Sequence, residues 1–136
     1  MRSIEDELTE LVFEGLDEAT ALQLSQEILH RRVVLPTLDE GVFETEISRL
    51  ELGERTALNN AHIRVIRYDH DVYDVEVNFI PSGVEGVSPD VLMEELHEFA
   101  VRLGTAHGVE SYYAGLEPAS DEETRFFSGA ERGPYW

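Results

Sequence analysis

Asp69, His70, Asp71 and Asp74 fall within one short stretch. Carboxylates beside an imidazole are donors that a divalent cation takes. The spacing lacks the glycine and closing glutamate of an EF-hand loop. Turn chemistry also accounts for these residues, because Asp is favoured in turns and Asp74 falls on the polar side of a strand pattern. Asp69, His70 and Asp71 therefore stand as lesser metal candidates, and no metal or cofactor is expected.

A second group, Glu94, His97 and Glu98, lies on one helical pattern, with Glu94 and His97 three positions apart on a shared face. No HExxH accompanies them, and no matching carboxylates on a facing helix are evident. A solvated helix flank explains them. His107 sits near the end of the same pattern, where an imidazolium can meet unpaired carbonyls. Nucleophilic catalysis finds no GxSxG, no SxxK and no cysteine. Phosphate binding finds neither a P-loop nor GxGxxG. Carboxylate pairs suited to acid–base work arise by chance among 29 acids. The chain is expected not to be an enzyme, because no set of catalytic roles converges.

A protein-binding surface is the remaining chemistry. Tyr112, Tyr113, Phe126, Phe127, Tyr135 and Trp136 crowd the last part of the chain, with Glu117, Asp121, Glu122 and Glu123 among them. Aromatic residues rimmed by charge are the composition of binding hot spots. Core packing accounts for some of these aromatics, and capping of a helical turn accounts for some of the acids. Glu117, Asp121, Glu122, Glu123, Tyr135 and Trp136 are the expected partner contacts, together with Glu5, Asp6 and Glu10 from the first predicted helix.

The charge supports that choice. The 136 residues carry a net charge of −19. Residues 1–30 hold eight acids and one Arg, residues 31–67 hold six of each, and residues 68–136 hold fifteen acids and three Arg. Every basic residue is Arg, which fits GC-rich coding or a high-salt host. Such a surface opposes direct binding to nucleic-acid phosphates. It suits a basic protein partner, where complementary potentials speed encounter. No apolar run approaches a bilayer span, and the acidic opening is not expected to be a secretory signal. The lack of cysteine fits the cytoplasm.

These residues need elements to hold them. Hydrophobic content of 42% and the length point to one folded domain, residues 1–136. Ser3 and Asp6 resemble an N-terminal cap, and Ile4, Leu8, Leu11 and Val12 recur at helical spacing. That predicts a first helix ending at Gly15, with Phe13 left on its far side. Asp17 opens a second helix to about Arg32, so residues 1–32 read as a helical pair. Residues 33–136 read as a sheet with one long helix. A strand follows at about Val42–Leu50.

Residues 61–80 then alternate apolar and polar about Asp69–Asp71 as a hairpin. A three-residue loop pairs Tyr68 with Val72 and sets Val65 against Val75, Ile63 against Val77 and Arg64 against Glu76. A one-residue slip would scramble both faces. Ser88 and Pro89 start the long helix, which His107 and Gly108 close. Val109–Leu116 reads as a strand stopped by Pro118. Ser120 and Glu123 make a capping box, and Phe126 and Phe127 return to the core or an edge strand.

The expected fold is α+β, a mostly antiparallel sheet of about four strands with helices on one face. Its predicted order is two N-terminal helices, then β-β-β-α-β. The expected function is a non-catalytic acidic module that docks on a basic partner. Its most concrete form is a bacterial immunity- or antitoxin-like inhibitor occluding a toxin such as a nuclease. The alternatives are a nucleic-acid mimic seated on a nucleic-acid-binding protein, a structural or oligomeric subunit, and a small metal-assisted or acid–base enzyme. Oligomeric state is not set by the sequence.

Overall fold

The computed structural model describes residues 8–81 and 88–136. Its elements are β1 (Thr9–Leu16), α1 (Glu18–Leu29), β2 (Val42–Glu51), β3 (Ala57–Asp69), β4 (Val72–Phe79), α2 (Pro89–Ala106), β5 (Ser111–Leu116), β6 (Arg125–Ser128) and β7 (Glu131–Arg132). They form a seven-stranded sheet in the order β2-β3-β4-β1-β5-β6-β7. All six pairings are antiparallel.

This corrects the expectation of about four strands behind two N-terminal helices. The segment read as a first helix is β1, and it lies in the interior of the sheet between β4 and β5. Thr9, Leu11 and Phe13 alternate onto the core side, and Phe13 is fully buried. Val12 points to the other side, where it packs with Tyr113 and Ala119. A run of three apolar residues suits a strand covered on both faces as well as it suits a helical stripe. Long-range pairing decides between them: Leu11 lies opposite both Val77 and Ala114. The predicted contributions of Ser3, Ile4, Glu5 and Asp6 lie outside the described residues.

Gly15 does not end a helix. It sits at φ +68 where the β1–β4 register shifts between Phe13 and Leu16, a bulge conformation that favours glycine. Its N–H donates to Asp74 Oδ1 at 3.0 Å. The chain then enters α1, whose first turn is capped by Asp17 accepting from the Thr20 N–H at 2.8 Å. The helix stops at Leu29, earlier than predicted, because His30 adopts a left-handed conformation.

The β3–β4 hairpin has the expected pairs from His62–Asn78 through Val65–Val75. Near the turn the register shifts, so Asp69 rather than Tyr68 lies opposite Val72. Ser88 caps α2 through the Val91 N–H, with Pro89 in the first turn. Both helices join the inner sheet face in one hydrophobic cluster. His107 Nε2 lies 2.9 Å from Glu27 Oε1 and so links α2 to α1.

Two short strands, β6 and β7, extend the sheet beyond β5; Phe126 and Phe127, expected in the core or on an edge strand, lie in β6 with both side chains buried. Gly115 permits this extension, since a Cβ there would lie 2.6 Å from the Thr124 carbonyl oxygen. The preceding helical turn is a single 3-10 turn, Glu122–Thr124. Its cap is Asp121, which accepts from the Glu123 N–H, rather than Ser120.

Candidate functional site

Strand alternation places a second set of side chains on the sheet face opposite the helices. Glu44, Arg64, Glu76, Val12 and Tyr113 lie side by side across β2, β3, β4, β1 and β5. Arg64 stands 3.4 Å from Glu44 and 3.3 Å from Glu76, so its single charge serves both carboxylates. The loop after β5 folds over one end of this face. Its Ala119 is buried against Val12 and Tyr113, and its Ala119 N–H donates to Glu10 Oε1 at 3.1 Å. The Arg125 guanidinium lies 3.9 Å above the Tyr113 ring. The β2–β3–β4 end of the face carries no such cover among the described residues.

At one end of β1 the surface deepens into an open cleft of about 580 Å³. It forms where the Gly15 bulge, the start of α1, the β3–β4 turn and the α2–β5 junction meet. Five carboxylates line it: Glu14, Asp17, Asp71, Asp74 and Glu110. No Arg or His lines it among the described residues.

Four of these acids are held by neutral donors. Glu14 accepts from the Ser111 hydroxyl at 2.8 Å and the Tyr113 hydroxyl at 3.0 Å. Asp17 and Asp71 accept from the Thr20 and Glu18 N–H groups, at the positive end of the α1 dipole. Asp74 accepts from Gly15. Such bonds orient a carboxylate without cancelling its charge. The crowding is felt: burial, with Glu14 adding to it, pushes the Asp74 carboxyl above the ordinary range against the Gly15 N–H and the Tyr68 hydroxyl. Burial also raises Glu76, with Glu10 adding to the effect and Arg64 opposing it. The arrangement can attract and orient cationic side chains. No histidine lines the cleft, among the described residues, to pair with the Ser111 or Thr20 hydroxyl.

The residues singled out from the sequence are dispersed by the fold. Glu117 is exposed and close enough to Glu76 to raise its carboxyl, so it borders the outer face together with Glu10. Asp121, Glu122 and Glu123 are exposed on the 3-10 turn, with Glu122 4.0 Å from Arg125. Tyr135 and Trp136 are half-buried against the core instead of standing free. Trp136 meets the His97 ring edge-on at 5.2 Å and carries Arg132 at 4.3 Å. Glu5 and Asp6 lie outside the described residues. Phe126 and Phe127 are core residues.

Asp69, His70 and Asp71 do not converge. Asp69 accepts from the His70 N–H, while Asp71 reaches α1. Among the described residues no group of three or more His, Asp or Glu is placed to hold a metal ion. His97 Nε2 is bonded to the Gly129 carbonyl at 2.8 Å, away from Asp69–Asp71. Nor do the outer carboxylates form unbroken rows, since Asn78 follows Glu76 on β4 and Val12 separates Glu10 from Glu14 on β1.

Sequence reasoning missed the cleft because Glu14, Asp17, Asp71, Asp74 and Glu110 come from three distant segments. The usable signal was the pair of acids flanking Gly15, Glu14 and Asp17, once Gly15 is read as a bulge.

Residues 8–132 match the model of a family described as PABL017 Cdi1I immunity protein. No curated protein matches the chain. Among solved structures, a chain from the crystal structure of the toxic C-terminal tip of CdiA from Pseudomonas aeruginosa in complex with immune protein is 25% identical to this one. The two superpose with a TM-score of 0.74, over 96% of this chain and 99% of that chain.

Proposed function

The chain belongs to the PABL017 Cdi1I immunity protein family, a toxin inhibitor by kind, and from that premise we propose that it blocks a CdiA-type toxin tip by occlusion, without chemistry. The observation that supports this reading is the cleft lined by five carboxylates with no Arg or His among its described lining residues. A basic surface on the toxin is the complement such a cleft attracts. Glu10 and Glu117 continue the acidic surface across the sheet face. Asp121, Glu122 and Glu123 form its outer rim, tuning association rate more than affinity. Tyr135 and Trp136 would contribute only their half-exposed edges, and Glu5 and Asp6 stay as further acidic contacts. The inhibitor works in the cytoplasm in this reading, consistent with a chain free of cysteine. No helix among the described residues is long and apolar enough to cross a membrane.

Titration of toxin activity tests the mechanism, using purified CdiA C-terminal tips screened for the one this chain inhibits. Inhibition should be complete at about one molar equivalent, and affinity should fall at least about tenfold between roughly 50 and 300 mM salt. Complete inhibition at a small fraction of an equivalent would show turnover and end the non-catalytic reading. Affinity indifferent to salt would end the electrostatic one.

A further inference from the structure

The open end of the outer sheet face carries an apolar patch beside the acidic cleft. Ile66 on β3 lies opposite Val42 on β2 and Asp74 on β4, so the three share that face. Tyr68 and Val72, two positions from Ile66 and Asp74 along their strands, extend it. Val42, Tyr68 and Val72 are 38%, 59% and 42% exposed. The Tyr68 hydroxyl faces the Asp74 carboxylate, which also lines the cleft. Patch and cleft are therefore one continuous surface, with an aromatic residue at the seam.

Resting on the immunity reading above, we propose that this surface is the toxin-docking centre. The toxin sets an apolar contact on Val42, Ile66, Tyr68 and Val72 and places basic side chains in the adjoining cleft. A tyrosine among aliphatic residues with charge at the border has the composition of a hot spot and its rim. Asp74 restrains the Tyr68 side chain before binding, which lowers the entropy lost on docking.

Charge selects the occupant. A second copy would meet this surface through a two-fold axis, which sets like patches together and brings the two acidic clefts close. Like-charge juxtaposition opposes that pairing, and it opposes nucleic acid and anionic lipid for the same reason. A protein with a basic rim is the occupant that remains.

The test screens purified CdiA C-terminal tips for the one the wild-type chain binds and measures affinity for it, using the full chain and its variants Tyr68→Ala, Val72→Ser and Glu98→Gln. The first two remove exposed side chains, and their thermal midpoints confirm folding. Glu98 is exposed on α2, which packs against the opposite face of the sheet. Tyr68→Ala should raise Kd roughly thirtyfold, as loss of a hot-spot side chain does, and Val72→Ser about tenfold, with Glu98→Gln unchanged. If the wild-type chain binds and protects cells while both patch variants stay below about a fivefold rise, the docking centre lies elsewhere and the immunity reading stands. Failure of the wild-type chain to bind or protect overturns that reading and the docking centre with it. Self-association abolished by Tyr68→Ala would assign the patch to a second copy instead.

Discussion

Replacing Phe13 with alanine distinguishes the observed strand from the helix suggested by local sequence. On a helix flank the change would move stability by no more than about 0.5 kcal/mol. In β1 the ring is fully buried, stacks on Tyr112 at a centroid distance of 5.9 Å, and sits between Val75 and Tyr112 on the neighbouring strands. Removing a buried phenylalanine costs about 3–5 kcal/mol, through lost transfer energy and the cavity left behind. The stacked pair and the strand's interior position favour about 4.

Unfolding entropy scales with chain length. For 136 residues it is about 0.29 kcal/mol/K, so a loss of about 4 kcal/mol lowers Tm by about 14 °C. Total stability for this length is roughly 7–20 kcal/mol, so the variant should still fold when cold. Phe13→Leu supplies a milder step of about 1–2 kcal/mol. Urea unfolding followed by circular dichroism and tyrosine fluorescence measures both. A loss below about 1 kcal/mol for Phe13→Ala would refute the interior placement of β1 and the face assignments that depend on it.

Stability should also depend on pH in two opposing ways. Asp74 and Glu76 have raised carboxyls in the folded chain, so the native state holds their protons more tightly than the unfolded state. Their contribution is fully present below the ordinary carboxylate range and is lost as pH rises through the raised values. Tm should therefore increase as pH falls from neutrality through the raised values towards the ordinary carboxylate range, less so in Asp74→Asn, and a flat profile would contradict the crowding. Glu95 works the other way. The Thr56 hydroxyl turned towards it, then the Arg55 N–H and guanidinium, hold its buried carboxyl below the ordinary range. Its contribution is present above the ordinary carboxylate values and is lost as pH falls through the lowered one, so stability should turn down again below about pH 4. Glu95→Ala should cost about 1–3 kcal/mol by leaving the Arg55 N–H without its acceptor, and urea unfolding at pH 7 checks this.

The parts of the fold readable from sequence were those whose partners are near in the chain. The β3–β4 hairpin carries its own test of register, because Arg64 meets Glu76 only when the apolar positions also meet. Helix α2 declares its start through Ser88 and Pro89, and α1 through Asp17. Strand β1 lacked such a signal. Leu8, Leu11 and Val12 fit a helical period, and the residues that make Phe13 a core position lie on β4 and β5. The acidic cleft was illegible for the same reason, since Asp71 and Asp74 look like turn and strand residues until the bulge at Gly15 brings Glu14 and Asp17 beside them. The acidity of the 117–123 stretch was visible, but its position beside Glu10 and Val12 depends on Ala119 folding onto the sheet.

Strand β1 acquires Ala114 as a neighbour only after α1, β2, β3, β4 and α2 have also been made. At roughly 5–20 residues per second, that interval lasts about 5–20 s, and non-local pairing slows closure further. A newly made chain therefore gives no protection for that time. An inhibitor with this topology guards its cell through the stock already folded, and dilution of that stock, by growth or by proteolysis, opens a window that fresh synthesis cannot close at once.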